Sequence, residues 1–121
     1  MFHWKEETTH AIMDELEWPR HDQKLTAAER DRAVDELIEI VADVDGILQA
    51  QSSADIEYFL KVCDRSFSED EIEQTKADVL RAYRWQYIFS GVQHERFQAL
   101  FEKLTTEEQR QRINEALAPI M

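Results

Sequence analysis

At 121 residues, 43% of them hydrophobic and 33% charged, the chain can bury a core but cannot build two independent ones. A formal net charge of −12 argues against a nucleic-acid backbone or an anionic membrane as partner, and leaves basic proteins and divalent cations. Two glycines are too few for a phosphate-cradling loop or a dinucleotide fingerprint, and with only two prolines they predict long helices with short polar connections, hence an all-α chain.

The first residues, MFHWKEETTH, lack the basic and apolar regions of a signal peptide, and the lone Cys63 cannot form an internal disulfide. A cytoplasmic, reducing setting is the expectation. In chain order, a first helix is predicted from about Phe2 to Leu16, stopping near Trp18 because Pro19 cannot continue the hydrogen-bond ladder. The segment PRHDQK then reads as a connection.

Thr26 to Glu29 is a capping box that opens a second helix, expected to continue through Gly46 to Gln51. Its apolar residues Val34, Leu37, Ile38, Val41, Val44 and Leu48 recur at spacings of three and four and predict one core-facing stripe. Ser52 or Ser53 is expected to cap a short third helix carrying Ile56, Tyr58, Phe59, Leu60 and Val62, with a break at Arg65 to Phe67. Ser68 to Glu71 is a second capping box.

The helix that follows holds the longest apolar and aromatic stretch, Val79 to Val92. At about 100° per residue its apolar side chains fall on every side, which predicts the central helix of a bundle or a partner-facing one. That run is far shorter than the roughly 20 apolar residues a bilayer requires, so no membrane span is expected. Gly91 is the candidate stop, placing Gln93 and His94 at a corner. Phe97, Leu100, Phe101 and Leu104 share one side of a further helix from His94 to Leu104. Thr105 to Glu108 reads as a third capping box, and Pro119 ends the last helix. These elements predict a single domain, residues 1–121: a compact irregular or orthogonal bundle of about five to six helices around the central aromatic one.

Three constellations are candidates for chemistry. On the first helix His3, Glu7, His10, Asp14, Glu17 and His21 recur at spacings of four and three, and imidazole with carboxylate at such separations suits Zn, Fe or Mn. Glu7-Thr8-Thr9-His10 resembles the E-x-x-H element that di-iron carboxylate bundles use in pairs, although the chain holds no second copy. On a helical wheel this stripe lies opposite Trp4, Thr8, Ile12 and Leu16, as a solvated face does, and Pro19 is expected to leave His21 outside the helix.

Asp14 and Glu17 on one helix, with Glu36, Glu39, Asp43 and Asp45 on the next, form a second set of oxygen ligands that suits Mg²⁺. Their spacing resembles the paired acidic elements of all-α nucleotide pyrophosphohydrolases of the MazG and dimeric dUTPase type, while the order of Asp and Glu departs from that pattern. The candidate metal ligands are therefore Glu7, His10, Asp14, Glu36 and Glu39.

The third constellation, Tyr83, Arg84, Tyr87, Ser90, Gln93 and His94, could offer hydroxyls and a cation to an anionic ligand. With Trp85, its members Tyr83, Arg84, Tyr87 and His94 are the candidate ligand or interface residues. Buried rings with polar tips turned to water or backbone explain the same pattern, and an arginine in an acidic chain more often pairs with a carboxylate. Each constellation thus has an ordinary structural explanation, and aromatic residues are enriched at interfaces. The expected function is protein–protein interaction, with a protein partner or a second copy and no cofactor assigned. A metal-dependent enzyme built on the first two helices is the alternative.

Overall fold

The computed structural model describes residues 2–121, and among them every regular element is helical. Helix α1 spans Phe2–Asp22, α2 Ala27–Val62 and α3 Glu69–Arg84. α3 runs on through a π-helical turn, Trp85–Phe89, and a last α-turn, Ser90–Val92. Helices α4, Glu95–Leu104, and α5, Glu107–Leu117, follow, with a 3₁₀ turn at Ala118–Ile120. No described helix is long and apolar enough to cross a membrane.

The capping chemistry sets the starts. Thr26 accepts from the Glu29 amide at 3.3 Å while Glu29 accepts from the Thr26 amide at 2.7 Å, and Ser68 with Glu71 repeats the arrangement. In both cases two amides left over at a helix start are satisfied reciprocally. The third box lies one residue later than predicted, between Thr106 and Gln109. Glutamine at the third position accepts from the cap amide as glutamate does.

Three boundaries differ from expectation. α1 passes through Pro19 to Asp22, so His21 is helical. Proline removes one donor, but Trp18 packs on Phe97 and Arg30 donates to the Asp22 carbonyl at 2.7 Å, and these contacts hold the turn beyond it. The short third helix does not exist as a separate element. Buried Ser52 donates to the Gln49 carbonyl at 3.1 Å instead of capping, and α2 continues unbroken for 36 residues. Gly91 stays helical and no described residue has positive φ, so α3 extends to Val92 rather than ending in a left-handed cap.

One apolar cluster joins Val34 and Leu48 of α2, Ile88 and Phe89 of the π turn, Phe101 of α4 and Ile113 and Leu117 of α5. α2 packs against α3 and α5, and α1 packs against α4. The aromatic helix is not enclosed on all sides: Ile88 and Phe89 are buried, but Trp85 is 54% and Tyr87 66% exposed. The π turn accounts for the difference. At constant pitch Leu80, Tyr83, Tyr87 and Gly91 share a face, and the extra residue of a π turn moves that face onto Ile88 and Val92.

Candidate functional site

The candidate metal ligands are spread along exposed helix faces. Glu7 lies between His3 and His10 at 3.9 and 3.6 Å, and Glu17 is 3.4 Å from His21, all one turn apart on α1. Asp14 borders a groove of about 670 Å³ between α1 and α4, whose walls include Ile12, Trp18, Phe97 and Leu100. Glu36 faces Arg32 at 3.8 Å and Glu39 is exposed on the same helix. Because α1 packs on α4, the acidic pairs of α1 and α2 are not presented to each other as a common cage. Among the described residues no three His, Cys, Asp or Glu side chains converge as a metal site would require.

Within the third constellation, Arg84 forms a fork with Asp45, Nε to Oδ1 at 2.6 Å and Nη2 to Oδ2 at 2.9 Å. The Asp45 side chain is 6% exposed and its carboxylate also accepts from Gln49, while the Arg84 side chain is 21% exposed. The Arg84 hydrogen bonds hold the Asp45 carboxyl below its ordinary range, outweighing the burial that would raise it. A bidentate pair of this kind joins α2 to α3 and leaves the guanidinium committed to a carboxylate within the chain.

Tyr83 is committed in the same way, its hydroxyl donating to Asp55, a contact that pushes the phenol above its ordinary value. Tyr87 stands edge-on to Tyr83 at 6.2 Å. Ser90 donates to the Gln86 carbonyl at 3.0 Å. His94 is the cap of α4, its Nδ1 accepting from the Arg96 amide at 3.3 Å. The constellation is therefore largely a set of structural contacts, while Tyr87 and the neighbouring Trp85 turn large aromatic side chains to solvent.

A cleft of about 910 Å³ lies between α2, α4 and α5, walled by Ile38, Val41, Phe97, Phe101, Ile113 and Leu117. Asp45 is the buried carboxylate on its border, and Arg84 occupies both of its oxygens. Cys63 is half-buried and closes α2 through its amide, which donates to the Phe59 carbonyl at 3.0 Å.

A feature that residue spacing did not single out lies on α2. Ile40 is 59%, Ile47 66% and Tyr58 68% exposed, although they belong to the longest helix of the fold. The signal was present as a second series of threes and fours, offset from the buried one of Val34, Leu48, Ser52 and Ile56. Two interleaved series read as a single broad stripe until the packing separates them. No family model, curated protein or solved structure matches the chain, so the site is read from its own geometry.

Proposed function

We propose that the chain is an acidic helical interaction module that acts in a reducing, cytoplasmic setting through an apolar surface on α2. The observation that carries this reading is the exposure of Ile40, Ile47 and Tyr58 on one helix whose neighbouring side supplies Val34, Leu48 and Ile56 to the interior. A rigid helix displaying large apolar side chains in a row is a recurrent seat for a protein partner, because covering it removes apolar area from water. Trp85 and Tyr87 add exposed aromatic area on α3, and such residues are enriched at interface centres.

The polar groups favour the same reading. Arg84, Tyr83 and Arg112 are occupied by Asp45, Asp55 and Asp31, so they join helices rather than await a substrate. In-cell photo-crosslinking from position 47 tests the proposal, with a probe at exposed Glu73 on α3 as control. A discrete protein adduct from 47 and none from 73 is the expected result; identical or absent products at both positions would remove the basis for an interface on α2.

A further inference from the structure

Resting on that reading, we infer that the outward face of α2 is the seat of a basic amphipathic helix supplied by another protein. Leu37, Ile40, Val44, Ile47, Gln51, Ala54 and Tyr58 follow one another at alternating steps of three and four. That is the a and d spacing of a coiled-coil seam, continued for three heptads on an unbroken helix. The row extends about 31 Å at 1.5 Å per residue, and of its members Val44 is the one packed against the chain's own core, Leu37 being 38% exposed. A seam of this pitch fits another helix better than a strand or a flat surface, since knobs spaced at 3.5 residues need holes of the same spacing.

Charge selects the occupant. From Ala33 to Leu60 the helix has no Lys, Arg or His. Of its acids, Asp45 is matched by Arg84, Asp35 by Arg112 and Asp55 by Tyr83, whereas Glu39, Asp43 and Glu57 have no cationic partner among the described residues. On the wheel Asp43 and Glu57, with Glu36, flank the seam on the side away from Leu48 and Val41, along the edge where a docked helix would lay its flanking residues, and Glu39 stands one step further round on the same side. A second copy brings the wrong charge. Antiparallel pairing of two α2 helices opposes their acidic flanks, and parallel pairing sets the acidic flank against half-buried Val41 and buried Leu48, which each chain already uses in its own packing. Lysine or arginine flanks relieve the repulsion and engage Glu39, Asp43 and Glu57 together.

Calorimetry with the full chain tests the inference, using a synthetic helical peptide of about three heptads with leucine at the seam and lysine or arginine on both flanks. Its counterpart carries the same seam with glutamate flanks. The basic peptide is expected to bind one to one, to weaken by about tenfold or more as salt rises toward 1 M, and to lose binding in Ile47→Lys without a change in melting temperature. Charge reversal through Glu39→Lys and Asp43→Lys, which leaves the apolar row intact, should weaken the basic peptide and admit the acidic one. Equal binding of both peptides, binding that survives Ile47→Lys, or no binding of either overturns the inference. So does a concentration-dependent dimer abolished by Ile47→Lys, which would make the second copy the occupant. If the peptides fail while crosslinking from position 47 still gives a discrete adduct, the basic-helix assignment falls and the interaction module stands; loss of both removes both.

Discussion

Replacing Asp45 by alanine leaves Arg84, whose side chain is 21% exposed, without the carboxylate that pairs it, and breaking one side of a buried ion pair costs about 3–5 kcal/mol. The paired replacement Asp45→Leu with Arg84→Met removes both charges and is expected to restore stability to within about 1 kcal/mol of the parent, because the pair's attraction is largely offset by desolvation. Urea titration of the three proteins checks this; a mild loss in Asp45→Ala would show that water reaches Arg84. Neither residue's partner was legible beforehand. The acidic richness of the chain predicts that an arginine finds a carboxylate, but Asp45 lies 39 positions from Arg84 and competes with many other acids. Three-dimensional packing of α2 on α3 makes the choice. The same limit explains the metal candidates: Glu7 and His10 are one turn apart as their spacing requires, yet a cage needs ligands from a second element, and spacing within α1 does not say which helix lies beside it.

At the scale of the element, local chemistry was the readable part. The Thr26 and Ser68 boxes and the break before Ser68 are written in a few consecutive residues, so they appear where the sequence places them. Features decided by distant contacts were not readable: Pro19 is carried inside α1 by Arg30 and Phe97, and Ser52 is drawn into the interior of α2. Gly46 lies in the middle of α2 with open space where a β-carbon would stand. Gly46→Ala is therefore expected to stabilise the protein by about 0.5–1 kcal/mol, by restricting the unfolded chain and favouring the helix. A loss in thermal unfolding would mean that the glycine serves a bend. The π turn makes a sharper contrast four residues apart. Phe89→Ala empties part of the interior and should cost about 3–5 kcal/mol, whereas Trp85→Leu, kept large and apolar on the exposed side, should fall within about 0.5 kcal/mol of the parent. Equal costs in chemical denaturation would contradict the phase shift that turns Tyr87 outward and Ile88 inward.

For the whole molecule, acid is the condition that loosens the fold. Arg84 and Arg112 hold Asp45 and Asp31 below their ordinary values, and the cap amides of Thr26 and Ser68 do the same for Glu29 and Glu71. Groups with lowered folded values bind fewer protons folded than unfolded, so their contribution is complete above the ordinary carboxylate value near about 4 and is lost as pH falls through the folded values. Tyr83 acts at the other end: its raised value keeps the neutral phenol, and that contribution fades as pH rises beyond about 10. Melting temperature should thus form a plateau from about pH 5 to pH 9 and fall on both sides, the alkaline fall shrinking in Tyr83→Phe. A melting temperature that climbs steadily below pH 4 would mean that relief of the net negative charge outweighs the paired carboxylates. The attachment of α1 sets a different kind of limit. It is held near its end, by Trp18 on Phe97, Glu15 on Arg96 at 2.6 Å and Arg30 on Asp22, and Glu15 and Arg96 lie 81 positions apart in the chain. Releasing those few contacts frees the whole helix about residues 23–26 while the cluster of α2, α3, α4 and α5 stays closed, so α1 amides should exchange with deuterium together and well before those of Leu48 or Ile113.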